Sequence, residues 1–185
     1  MAVIGKSKKC GLAHGRRAAA LLLAALAILL SGCAPPVGTV CLSYQNTAAR
    51  AEVKVRRGGA EYGAVVELCA PQGEAARDMR IKFTSPEALK GISVERSMGA
   101  LILRYGDLVL PGDAFADMTV AADAFMLTSP VSLAGVIKAD DGTPRTLVTL
   151  ADGSEVVIDP QSGFPLSIKL EDAELEILVF EPQRQ

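Results

Sequence analysis

Along residues 51–84 apolar and polar side chains alternate one for one, the period at which a strand turns one face to a core and the other to solvent. Ala51, Val53 and Val55 alternate with Glu52, Lys54 and Arg56; after Arg57-Gly58-Gly59 come Tyr62, Ala64, Val66 and Leu68. Two glycines between two such runs predict a hairpin. Met79, Ile81 and Phe83 against Arg80, Lys82 and Thr84 predict a third strand with a basic outer face. Ser85-Pro86-Glu87-Ala88-Leu89 reads as a capped helical turn ended by Gly91. Residues 92–95 and 100–105 read as the next pair across Ser97-Met98-Gly99, with residues 108–111 leading out.

Between Asp113 and Thr128 the period changes. Phe115, Met118, Ala122, Phe125 and Met126 recur mostly at three- and four-residue steps, which predicts one amphipathic helix behind an Asp113 cap. Strands resume after Pro130: residues 131–138 and 145–150 across Asp140-Asp141-Gly142, residues 155–159 after Ala151-Asp152-Gly153, and a final hairpin of 166–170 and 175–180. The expected fold is α+β, a curled antiparallel sheet of roughly ten strands that forms an incomplete β-barrel, covered by one main helix and a short helical turn. A large sheet under so little helix leaves inner-face area for a cavity, a tight self-packed core or a partner.

The first 32 residues follow another pattern. Lys6, Lys8, Lys9, Arg16 and Arg17 precede the unbroken apolar run from Ala18 to Leu30, the basic and apolar regions of an export signal. The run is shorter than the ~20 residues a helix needs to span a bilayer. Leu30-Ser31-Gly32-Cys33 follows it and resembles the lipobox of bacterial lipoproteins, which makes Cys33 the expected site of lipid attachment. An ordinary buried thiol at Cys33, or an ordinary signal cleaved at a small residue, are the alternatives. The expected division is a signal over 1–32, a lipidated cysteine and tether over 33–47, and one domain over 48–182. Two or more acyl chains would hold that domain on the membrane surface, at the extracytoplasmic face.

Removing the signal changes the charge. The chain has 19 Lys and Arg against 21 Asp and Glu, and five of the basic residues lie in the signal, so the exported part is net acidic by seven. Such a surface repels phosphate backbones, and no nucleic acid is expected as a partner. The charge is also uneven: residues 50–104 hold ten basic and seven acidic residues, and residues 140–181 hold ten acidic ones. Cys41 and Cys69 are the other cysteines of the exported part; export permits a disulfide between them, and two free thiols are the alternative.

The order of these elements resembles a known family. A lipobox, meandering strands, the block Pro86-Glu87-Ala88-Leu89-Lys90-Gly91, a helical insertion, and the ending Ile158-Asp159-Pro160-Gln161-Ser162-Gly163-Phe164-Pro165 before two strands look like the LolA/LolB-like lipoproteins. The resemblance covers most of residues 48–182 and implies a half-barrel around helices, with a hydrophobic cavity that binds acyl chains in some members. This chain departs from the carrier members in having no Trp and a thin helical cover. Lipoproteins of spore-forming bacteria with a similar plan imply binding of other envelope proteins instead.

Candidate chemistry is sparse. The one histidine, His14, lies in the signal, so the exported part cannot build a Ser/His/Asp or Cys/His pair or a histidine metal site, and no catalytic residue, cofactor or metal is expected. Asp113 with Asp117, and Asp140, Asp141, Asp152 and Asp159, are carboxylates whose plain roles are caps and turns. Phe115, Met118, Phe125 and Met126 are candidates to line an apolar cavity, with ordinary core packing as the alternative. Lys54, Arg56 and Arg57 form a basic stripe, fit for an anionic partner or for protecting an edge strand. The expectation is a non-enzymatic, membrane-tethered module that binds an envelope protein; lipid handling in an apolar cavity is the alternative.

Overall fold

The computed structural model describes residues 42–71 and 77–183, and within them eleven antiparallel strands form one sheet. The strands are β1 Ala49–Arg57, β2 Ala60–Leu68, β3 Met79–Ser85, β4 Ile92–Ser97, β5 Ala100–Tyr105, β6 Leu108–Pro111, β7 Val131–Lys138, β8 Pro144–Leu150, β9 Glu155–Ile158, β10 Pro165–Lys169 and β11 Ala173–Pro182. Their order across the sheet is β6-β5-β4-β3-β2-β1-β11-β10-β9-β8-β7. Every neighbour is the next strand in sequence except at the centre, where β1 pairs with β11 from Ala49 opposite Pro182 to Arg57 opposite Ala173. The chain therefore lays two meanders outward from its own ends, and the outermost strands are the middle of the sequence. β6 and β7 do not pair with each other, so the curled sheet stays an incomplete barrel.

The alternation read from the sequence is the alternation of burial. Ala51, Val53, Val55, Ala64, Val66, Leu68, Met79, Ile81 and Phe83 are buried on the concave face and continue through Val94, Leu101 and Leu103. On the other flank Leu175, Ile168, Val156, Val148 and Leu150 do the same. Each such side chain contributes roughly 1.5–3 kcal/mol by leaving water. A bulge lies between Glu52 and Val53 against β11, and others interrupt the β2–β3, β9–β10 and β7–β8 ladders. Bulges of this kind bend the strands that carry them.

The segment joining β6 to β7 departs from the expected helix. Asp113–Thr119 is 3-10 and only Val120–Asp123, here α1, is α-helical. Gly112, not Asp113, holds the cap position, and no side chain caps it. One cause is local: Thr119 Oγ1 donates to the Ala116 carbonyl and to the Asp123 carboxylate, a side-chain bond to residue i−3 that competes with α-helical pairing. The short turn after β3 is likewise 3-10, Glu87–Leu89, with no side-chain cap. Ser85 Oγ instead accepts the Gly63 N–H at 2.8 Å. A Cβ at Gly63 would stand 2.7 Å from that oxygen, which explains a glycine inside β2.

The N-terminal end of the described chain is packed, not free. Ser43–Asn46 is a 3-10 turn, and Leu42 and Tyr44 are buried in the core. The buried Arg77 guanidinium holds this turn by donating to the carbonyls of Gln45, Thr47 and Cys69. Residues 1–41, with Cys33 and Cys41, lie outside the described residues.

Candidate binding surface

The concave face is filled at its centre. α1 presses Ala121 and Ala122 onto the sheet, Ala124 and Phe125 follow in the same turn, and all four are fully buried. Tyr44 meets both Phe125 and Phe180 edge-on at ring distances of 6.4 and 6.2 Å, and Phe164 leans on Phe180 at 4.9 Å. Of the expected cavity lining, Phe125 is core, and Met118 and Met126 are partly buried against it. The Phe115 side chain lies outside what is described. The Tyr44 hydroxyl has no hydrogen-bond partner among the described residues. Burial pushes its pKa above the ordinary phenol range.

Two arginines tie the 3-10 segment and α1 to the sheet. Arg96 on β4 meets Asp123 at 3.0 Å, and Arg57 at the end of β1 donates to the Asp117 carbonyl at 2.9 Å. Arg57 also pairs with Asp172 at 2.8 Å.

The convex face is a lattice of ion pairs. Lys54 and Arg56 both reach Glu61, Arg56 also reaches Glu174, Arg50 reaches Glu52 and Glu181, Lys82 reaches Glu67, and Arg80 and Arg104 share Glu95. Burial pushes the Glu95 carboxyl up, and its two arginines outweigh that and hold it below the usual range. The basic stripe of Lys54, Arg56 and Arg57 is therefore neither unpaired nor at an edge: β1 is central, and each of the three is matched by acids. Four of the candidate acids are matched too. Asp117 faces Arg57, Asp141 accepts the Thr143 N–H, Asp152 accepts the Ser129 hydroxyl and the Ser154 N–H, and Asp159 accepts the Gln161 N–H and the Ser162 hydroxyl. These bonds hold the carboxyls of Asp141, Asp152 and Asp159 below their ordinary pKa. No three of His, Cys, Asp or Glu are grouped for a metal among the described residues. Cys69 is exposed beside an open hollow of about 900 Å3 that Arg80, Glu95 and Arg96 also line.

Much of the uncovered apolar surface lies at the two outer strands, which no sequence argument singles out; Met98 of the β4–β5 turn and Leu178 and Val179 of β11 are exposed as well. On β6 Leu108, Val109 and Leu110 are all exposed, beside Tyr105 of β5. On β7 Leu133 and Val136 are 60% and 75% exposed, and Ile137 is exposed with them. Register assigns the faces. Val136 lies opposite Thr146, in step with the buried Val148 and so concave; Leu133 and Ile137 lie opposite Thr149 and Arg145 on the convex side. The run Val131-Ser132-Leu133-Ala134-Gly135-Val136-Ile137 reads as a strand buried on both faces. Instead it is exposed on both, at an edge whose outward N–H and C=O groups have no strand beside them among the described residues. Those positions carry the signal for a missing neighbour.

No described protein family and no curated protein matches the chain. Among solved structures it is similar to an uncharacterized conserved protein from Thermus thermophilus, with 17% identity and TM-score 0.49 over 80% of this chain and 86% of that one. It is similar to the Pseudomonas aeruginosa protein MucB in complex with MucA, with 16% identity and TM-score 0.45, over 77% of this chain and 54% of that one. It is also similar to a LolA superfamily protein from Nitrosomonas europaea, with 9% identity and TM-score 0.45, over 80% of this chain and 93% of that one. The chain spans about half the length of MucB.

Proposed function

We propose that the chain is a membrane-tethered, non-enzymatic lipoprotein whose half-barrel binds a protein partner at the cell envelope. The observation that carries this reading is where the uncovered apolar surface lies. Phe125, Tyr44 and the alanines of α1 close the centre of the concave face, and apolar residues stand bare on the free strands β6 and β7. Contiguous exposed apolar surface on a folded domain marks an interaction site, and a free edge offers backbone hydrogen bonds to match. The lipobox at Cys33 supports the tether, which would keep such a domain within reach of envelope proteins and little else.

Lipid handling is the second reading, favoured by Met118 and Met126, adaptable side chains half-buried at the margin of the core. One experiment separates the two: purification of the full-length protein from its native envelope in mild detergent, with bound proteins and bound lipids both quantified by mass spectrometry. A stoichiometric protein partner is expected. Stoichiometric lipid without protein would overturn the reading.

A further inference from the structure

We infer that the β4–β5 turn dips Met98 into the interface of the membrane that carries the chain's proposed lipid. This rests on the tether at Cys33 and adds to it the end of the sheet that faces the bilayer.

Met98 is 96% exposed, the most of any large apolar side chain among the described residues. A single exposed apolar residue is ordinary on a surface, but this one also sits where the backbone disfavours it. Ser97 pairs with Ala100, so Met98 and Gly99 are the two central residues of the hairpin, at φ +51° and +81°. Tight turns of this hand take Asn-Gly or Gly-Gly, because a bulky side chain at positive φ crowds its own backbone. The chain builds the same turn that way between β1 and β2, where Gly58 and Gly59 have φ +56° and +81°. Met98 is the one non-glycine at positive φ among the described residues. The Asp78 carboxylate accepts its N–H at 2.9 Å and so fixes the tip. A side chain that strains its turn and packs on nothing in its own fold is placed for a surface outside it.

Position names the surface. Cys33 precedes Leu42 by nine residues, and the chain enters the domain at the end of the sheet where the Met98 turn lies. Ala49, Leu68, Met79 and Arg96 stand in one row across β1 to β4, so tip and entry are three strand spacings apart, about 14 Å. Two consecutive residues hold them together: Arg77 donates to the Gln45 and Thr47 carbonyls of the entry turn, and Asp78 takes the Met98 N–H. The other end of the sheet is apolar too, at Tyr105 and Leu108. Turning that end to the membrane would draw the nine-residue link along all nine residues of β1, about 30 Å, which is its full reach.

Charge does not oppose the approach. The turn itself, Ser97 to Ala100, carries none. Behind it Arg80 and Arg104 share Glu95, Arg96 holds Asp123 and Lys82 holds Glu67. Arg77 precedes Asp78, and on the β7 side of this end Lys138 and Arg145 stand with Asp140 and Asp141. Opposite signs are mixed throughout, so the turn offers the membrane an apolar side chain and no net charge for its headgroups.

The test is photo-cross-linking of the full-length chain, purified with its native lipid and returned to phosphatidylcholine vesicles doped with a phosphatidylcholine that carries a diazirine high on one acyl chain. Flotation with the vesicles reports the tether, and the labelled residues, mapped by mass spectrometry, report the tip. Label is expected at 97–100 and not at 105–110, to the same extent when phosphatidylglycerol is included. Asn suits the left-handed position, so Met98→Asn should float and melt no lower than the parent, yet lose at least about fivefold of the label. Met98→Leu, equally apolar, should keep it. In chains that float, label at 105–110, equal label in Met98→Asn, or no label at either turn, as a protein seated on Met98 would give, overturns the inference and leaves the tether standing. A chain that does not float sinks the tether and this orientation together.

Discussion

Tyr44 shows how one side chain can be well packed and poorly satisfied at once. Its ring is 2% exposed between Phe125 and Phe180, and its hydroxyl has no partner among the described residues. The neighbouring Gln45 amide donates one of its two N–H groups to the Leu127 carbonyl at 2.9 Å. A buried hydroxyl without a hydrogen bond costs about 1–3 kcal/mol, so Tyr44→Phe should leave the melting temperature unchanged or raise it. A fall of several degrees would mean that the hydroxyl has a partner. Asp159 poses the opposite case. The Gln161 N–H and the Ser162 hydroxyl favour its charged form in the folded chain and lower its pKa below the unfolded value. The stabilisation is therefore complete above the unfolded value of about 4 and is lost as pH falls through the lower folded one. Melting temperatures measured between about pH 6 and 2 should fall less steeply in Asp159→Ala than in the parent, and the two curves should converge at the acid end. Cys69 is exposed, which suits a proposed bridge to Cys41 as well as a free thiol. Mass measurement with alkylation before and after reduction decides, and two thiols alkylated without reduction would exclude the bridge.

At the scale of elements, the segment crossing from β6 to β7 is seated by the burial of Ala121, Ala122, Ala124 and Phe125 and tied to the sheet by ionic bonds. Asp117 and the α1 residue Asp123 are held by Arg57 and Arg96, and Thr119 closes onto Asp123 from within the segment. Asp123→Ala leaves Arg96, largely buried, without its carboxylate and removes an acceptor from Thr119. Exchange of the amides of residues 119–126 should quicken and stability should fall by about 1–2 kcal/mol, while β8 to β10, which Arg96 does not touch, keep their exchange rates. Exchange unchanged at 119–126 would show that packing of Phe125 alone holds the segment. The strands were legible in the sequence because alternation is a local signal: β1 to β3 appear as Val53, Val66 and Ile81 predict, and the final hairpin follows from Leu175 and Ile177. The helix was less so. Its apolar spacing fits α and 3-10 geometry over a single turn, and Thr119's bond to Ala116 depends on a rotamer that no spacing encodes. β7 was legible as a strand and illegible as an edge, because which strand lies outermost depends on the β1–β11 pairing, made between residues more than a hundred positions apart.

For the whole molecule, the question is how the domain reaches its partner. The proposed lipid on Cys33 fixes that, and it predicts that metabolic labelling with a fatty-acid analogue marks the parent protein and not Cys33→Ala. The variant should also leave the membrane fraction without detergent. Equal labelling of both would sink the tether. No helix among the described residues is long and apolar enough to cross a membrane, so nothing described there substitutes for the lipid as a helical anchor. The proposed compartment and tether rest on the first 33 residues alone, since export signals are read as linear sequence. The proposed binding edge was not legible in the sequence, because it belongs to the assembled sheet.

The position of β11 governs the order in which the molecule can be completed. A chain made from its N-terminus holds β1 to β10 before the strand that joins them exists, so two half-sheets must wait, each with one more open flank than the finished sheet leaves it. Waiting strands invite wrong partners during folding, and large non-local pairings form slowly. β1 carries Arg50, Lys54 and Arg56 on its convex face, and charges on a bare flank discourage intermolecular stacking. The last strand then arrives with Glu174 for Arg56 and Glu181 for Arg50. Those charges would protect an edge only for as long as the nascent chain lacks β11; once it docks, the same side chains join the ion-pair lattice across the centre of a finished sheet.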